Sequence, residues 1–175
     1  MKIIALFRGI NVGGRNILPM KNLVEILEGF GYKNIQSYIQ SGNVVFETES
    51  DITTKKTNLI QKAIEKQHGF KPQVLFINSE DLNEAIENNT FDTEIGKCLH
   101  LSFLDKIPEA VDYARFDDLK AETEEYKLQG KVFYLYAPDG IGRSKLAAKV
   151  EKILGVNATA RNWNTVLKLK EMANS

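Results

Sequence analysis

Two stretches of this chain, YIQSGNVVF at residues 38–46 and YKLQGKVFYLY at 126–136, carry apolar residues on either side of a glycine-centred turn, and each reads as a β-hairpin. The surroundings of the two hairpins repeat as well. Before the first lie a strand over Lys2 to Arg8 and a helix over Pro19 to Gly29, with Met20, Leu23, Val24 and Leu27 on one face. After it come a helix from Thr53 to His68 with Leu59, Ile60, Ala63 and Ile64 inward, a strand from Gln73 to Ile77, and a short helix capped by Ser79 and running to Ile86. The second hairpin is preceded by the strand CLHLSFL and a short or irregular helix in DKIPEAVDYARF. It is followed by a helix over GRSKLAAKVEKILG, a strand from Ala158 to Arg161 and a closing helix from Thr165 to Met172. A chain that writes strand, helix, hairpin, helix, strand twice is constrained to an internal duplication.

That order predicts an α+β fold: a tandem of two ferredoxin-like βαββαβ halves, each an antiparallel sheet of strand order 4-1-3-2 with helices on one face and an extra helix after it. The halves are expected at residues 1–90 and 91–175. Directions follow from the order alone. If the first strand runs up and its helix returns down, the loop after strand 1 and the turn of the hairpin share one sheet edge, where Arg8, Asn11, Arg15, Ser41 and Asn43 converge. In the second half, the segment before the second helix and the end of the last strand share the opposite edge, which collects Arg143, Ser144, Lys145, Arg161, Asn162 and Trp163.

Charge narrows the partners. Lys and Arg number 23 and so do Asp and Glu, so no global field draws the chain to nucleic acid or anionic lipid, and any anion site is local. No apolar run approaches the roughly 20 residues of a membrane span, and IIALF is too short for a signal-peptide core. The expected location is therefore the cytoplasm. Cys98 is the single cysteine, which excludes an internal disulfide and favours a buried, inert thiol. With only His68 and His100 beside it, no metal site of the usual zinc spacing can be assembled, although a carboxylate-bound Mg²⁺ stays open. No cofactor is implied.

Four segments stand out: RGINVGGRN, YIQSGNVVF, GIGRSKL and TARNWNTVLKL. In this order they resemble an uncharacterised bacterial family, domain of unknown function 1697. The resemblance implies the same tandem of ferredoxin-like halves and marks Arg8, Gly9, Asn11, Gly13, Gly14, Tyr38, Ser41, Gly42, Asn43, Ser144, Lys145, Arg161, Asn162, Trp163, Asn164 and Thr165 as matching positions. It implies no chemistry.

Each segment has two readings. RGINVGGRN fits the outline of a phosphate loop, but Arg15 and Asn16 replace its Lys and Ser or Thr, and Pro19 delays the helix. Gly13 and Gly14 at positive φ can still aim backbone N–H groups at an anion, with Arg8 or Arg15 forking onto it. The alternative is a solvated turn. Ser41, Gly42 and Asn43 are turn residues first, and only their shared edge with RGINVGG suggests binding. Ser144, Arg143 and Lys145 form either a basic helix start that welcomes an anion or a routine cap. Trp163, between Asn162 and Asn164 and near Arg161, either stacks on a base or sugar or anchors the last helix.

These readings combine into one expectation: a small anionic, phosphate-bearing ligand or nucleotide, bound at a composite polar site between the halves. Its ligand set is Arg8, Asn11, Gly13, Gly14, Arg15, Ser41, Asn43, Arg143, Ser144, Lys145, Arg161, Asn162, Trp163 and Asn164. The alternatives are an enzyme acting on a phosphorylated substrate, with Lys145 stabilising charge and no identifiable base, and a protein-interaction module using its sheet edges. Single-stranded nucleic acid ranks below these, and no membrane partner is expected.

Overall fold

The computed structural model describes residues 1–175. The chain forms two compact units, Met1–Glu84 with Lys168–Ser175, and Ala85–Leu167. The C-terminal residues Lys168–Ser175 belong to the first of these units.

In the first unit, β1 (Lys2–Arg8), β2 (Lys33–Tyr38), β3 (Asn43–Glu47) and β4 (Gln73–Asn78) form one antiparallel sheet in the order β2-β3-β1-β4. This is the 4-1-3-2 order expected from the sequence. β1 is central, and Ile3 to Phe7 are all buried, which explains the continuous apolar run where a half-exposed strand would alternate. The core on the helical face joins Ile3, Ala5 and Phe7 to Leu23, Ile26 and Leu27 of α1 (Met20–Gly29) and to Ile60 and Ile64 of α2 (Thr54–His68). Ile26 is buried, whereas the expected inward residue Leu59 is exposed: the apolar stripe of α2 is Ile60 and Ile64, with Ala63 packed beside them. Thr53 caps α2 by accepting from Lys56 N–H, and Gly69 ends it in the left-handed conformation at φ 79°. The helix α3 (Ser79–Glu87) follows β4 directly, and its first turn is capped by Asn78, whose Oδ1 accepts from Asp81 N–H, instead of by Ser79.

In the second unit, β5 (Leu99–Leu104), β6 (Glu125–Gln129), β7 (Val132–Tyr136) and β8 (Ala158–Asn162) repeat the arrangement as β6-β7-β5-β8, again wholly antiparallel. The irregular segment yields α4 (Tyr113–Leu119), capped by Asp112. The stretch expected as one helix over residues 142–155 does not form it. Two 3-10 turns, Ile141–Arg143 and Ala147–Lys149, precede a single short helix, α5 (Val150–Leu154). Gly140 sits at φ 100°, and Ser144 is extended with its Oγ accepting from Ala147 N–H, a cap that lets helical turns begin only after it, while Lys149 at φ −118° and ψ −2° interrupts them before α5. The last helix, α6, spans Trp163–Asn174. The molecule is therefore an α+β protein with two four-stranded antiparallel sheets, six α-helices and two similar halves.

Candidate functional site

The loop after β1 is a miniature hairpin. Arg15 N–H donates to Val12 C=O at 3.0 Å and Asn11 N–H to Asn16 C=O at 3.0 Å, while Gly13 and Gly14 occupy the two central positions at φ 57° and 71°. Two consecutive positive φ values are what a type I′ turn demands, and glycine supplies them without strain. Asn16, itself at φ 50°, ties the base of this hairpin through a 2.8 Å bond from its amide to Gly9 C=O.

One side chain holds the loop to its neighbour. Asn11, at φ 52°, donates from Nδ2 to Leu18 C=O and to Gln40 C=O, both at 2.9 Å, and accepts from Leu18 N–H at 2.8 Å. Gln40 belongs to the β2–β3 turn, and Phe7 N–H bonds Gly42 C=O there at 2.8 Å. The glycine loop and the hairpin turn thus converge on one sheet edge, as strand direction required. Gly42 permits this approach. A Cβ on it would stand 2.6 Å from Phe7 Cβ and 2.9 Å from Ile10 Cδ1, at a φ of 80°.

Burial sorts the expected ligand residues of this edge. Asn43 is fully buried, its amide donating to Ser41 Oγ at 2.8 Å, so it belongs to the scaffold, as does Asn11 with its amide fully engaged. Arg8 is half-buried, and its guanidinium bonds the Gln73 side chain on β4. Gly13, Gly14, Arg15 and Ser41 are exposed. The Arg15 side chain pairs with no carboxylate, and residues 8–19 and 38–43 contain two arginines and no Asp or Glu.

Sequence reasoning missed one feature here. Ile39, in the β2–β3 turn, has φ 51°. For a β-branched residue this is a genuine outlier, costing about 1–2 kcal/mol against glycine. Three of the four non-glycine residues with positive φ, Asn11, Asn16 and Ile39, lie at this one edge. Three large exposed aliphatic side chains lie there too: Val12 (66%), Ile17 (55%) and Ile39 (52%). The readable signal was an isoleucine inside a turn that needed no apolar residue.

The edge of the second unit is built differently. Leu99 pairs with Tyr136 and His100 with Asn162, so the segment leaving β7 and the end of β8 do share an edge. The polar groups gathered there serve the fold. Ser144 is buried as the cap already described, and α5 is too short and begins too late to offer an anion its N-terminus. Asn162 Oδ1 caps α6 by accepting from Thr165 N–H at 2.9 Å. Trp163 is buried, so its ring has no free face for a base. The Asn164 side chain fills the space a side chain on Gly96 would occupy. Arg161 is half-buried and donates to Ala160 C=O, while Arg143 and Lys145 are exposed. His100, opposite Asn162, has its pKa lowered by burial, and its Nδ1 is enclosed without a partner. Cys98 is buried, its thiol directed at Pro138 C=O.

No group of three or more His, Cys, Asp or Glu comes together that could hold a metal ion, and no helix is long and apolar enough to cross a membrane. The exposed first edge presents turn N–H groups and the Arg15 guanidinium, which pairs with no carboxylate. A nucleophile paired with a base is not assembled there.

A model of the protein family of unknown function DUF1697 matches residues 1–134. The chain belongs to this family. The match takes in the glycine loop and the first hairpin of this DUF1697 protein and ends within β7 of the second hairpin, before GIGRSKL and TARNWNTVLKL. Among solved structures, a conserved bacterial protein from Streptococcus pneumoniae is similar to it, with 22% identity, a TM-score of 0.72 and 98% of each chain covered. At that identity the likeness shows the fold. None of the curated proteins matches the chain.

Proposed function

We propose that this DUF1697 protein is a binding protein that recognises an anionic group, a phosphate in the first instance, at the loop edge of its first unit. We also infer that both units are ferredoxin-like, a reading supported by their common strand order and wholly antiparallel pairing. The observation that carries the functional reading is the Gly13–Gly14 tip. It is exposed, held in its left-handed conformation by the Asn11 and Asn16 bonds, and adjoins the unpaired Arg15. Backbone N–H groups fixed in advance bind an anion without first paying to order a loop, and an arginine fork adds charge-assisted bonds.

The test is titration of inorganic pyrophosphate and of ADP into the protein at low ionic strength, read by calorimetry. Arg15→Ala is expected to weaken binding about ten-fold or more, since a hydrogen bond to a charged group contributes about 1.5–3 kcal/mol. Gly13→Val should weaken it further by forcing the tip out of its turn. Absence of binding by the natural sequence, or an Arg15→Ala variant that binds as well, overturns the reading.

A further inference from the structure

We infer that the anion recognised at the first-unit edge is carried by a segment of a partner protein in which an acidic residue stands beside aliphatic or aromatic side chains. This rests on the reading of that edge as an anion site and names the kind of molecule that brings the anion.

Ile39 is unfavourably placed for its residue type. Its backbone is left-handed, a conformation that glycine or asparagine adopts more readily, and its side chain is half exposed and takes no part in the core of the first unit. Neither backbone preference nor burial favours isoleucine here. An apolar side chain kept where the isolated fold disfavours it points to contact with something outside the chain.

Val12 and Ile17 extend the surface. Asn11 bonds both Leu18 and Gln40, the neighbours of Ile17 and Ile39, and Val12 follows Asn11 directly, so one side chain clamps the segments bearing all three aliphatics. The surface is apolar and held in place, and an exposed arginine with no opposing carboxylate adjoins it. Its complement is apolar and negatively charged.

A peptide segment fits better than an anionic bilayer. The chain has no net charge to draw it to a membrane, and the edge loops, residues 8–19 and 38–43, contain no lysine and no tryptophan, the residues that anchor proteins at lipid surfaces. Clamped loops also leave little ordering cost to offset when a peptide docks.

The experiment is selection of a random dodecapeptide library on the immobilised full-length protein, with counter-selection on a variant carrying Val12→Ser, Ile17→Ser and Ile39→Asn. Selected peptides are then measured by fluorescence anisotropy. They are expected to combine Asp or Glu with Leu, Ile, Phe or Trp, and to bind the triple variant about thirty-fold or more weakly. Ile39→Asn alone should weaken binding several-fold and raise the melting temperature by about 2–4 °C, because asparagine relieves the strained backbone. A residue that only stabilises the fold cannot show that opposite pair of effects. The proposal is overturned if Ile39→Asn lowers the melting temperature, if no peptides are enriched, or if those enriched lack acidic residues and ignore Arg15→Ala. It is equally overturned if the protein instead binds phosphatidylserine vesicles through the same three side chains. Acidic peptides that bind where pyrophosphate and ADP do not would remove phosphate from the functional reading and leave the peptide partner standing.

Discussion

The two sheet edges highlighted by the sequence hold similar inventories of Gly, Asn, Ser and Arg and use them in opposite ways. At the first-unit edge, two asparagines lock a glycine hairpin that stays exposed, and the apolar side chains around it face solvent. At the second-unit edge, Ser144 and Asn162 cap helical turns, Trp163 is buried and Asn164 packs on Gly96. The difference lies in what the polar groups serve. In the first case they support a presented surface, and in the second they end helices and close the interior. An identical residue type is therefore a weak pointer to function until its hydrogen-bond partner is known.

Substitutions test this contrast. The largest effect is expected from Trp163→Ala, which should cost about 3–5 kcal/mol of stability as a buried aromatic is removed, while leaving pyrophosphate or ADP binding by the folded fraction unchanged. Urea denaturation and titration together check it, and binding lost without destabilisation would restore the stacking role. Gly42→Ala comes next, at about 2–4 kcal/mol, because its Cβ meets Phe7 and Ile10 and its φ is left-handed. Gly96→Ala should be milder, since the atom it meets belongs to an Asn164 side chain that can swing away.

The asparagines provide a matched pair. Asn11→Ala removes three hydrogen bonds and leaves alanine at positive φ, so about 2–3 kcal/mol is expected, whereas Asn162→Ala removes one cap bond and should cost about 1 kcal/mol. Equal losses in thermal denaturation would erase the distinction between a loop clamp and a helix cap.

Acid should act on the second unit through His100. Burial lowers its pKa in the folded protein below the ordinary 6.5, so below that pH the unfolded chain binds more protons and stability falls; above it the contribution is fully present. Denaturant midpoints at pH 7.5 and pH 5.5 should diverge less in His100→Gln than in the natural sequence, and an unchanged difference would rule out His100 as the source. The smallest effects belong to Arg143→Ala and Lys145→Ala, exposed side chains beside a cap, each expected to move stability by no more than about 0.5 kcal/mol and to leave pyrophosphate binding unaltered. A marked loss of binding in either would return an anion to the second edge.

The order of amino acids alone set the order of the elements, because apolar periodicity and turn residues are local signals. It determined the strand order and the convergence of the glycine loop with the hairpin turn as well, since antiparallel direction follows from element order. Positive φ at Gly13 and Gly14 was legible for the same reason: a two-glycine tip between hydrogen-bonded neighbours has little other use. What each polar or apolar side chain does depends on its neighbours in the folded chain. Asn11 became a clamp through Gln40, 29 residues away, and Gly42 became indispensable through Phe7 on another strand. The helix over 142–155 is shortened because the Ser144 hydroxyl caps the turn that follows it and Lys149, at φ −118° and ψ −2°, departs from helical geometry just before Val150. Ile39 is left-handed in the turn whose Gly42 C=O accepts from Phe7 N–H of β1. Partners distant in sequence carry no local signature, so a residue's type announces its capabilities and the folded neighbourhood selects among them.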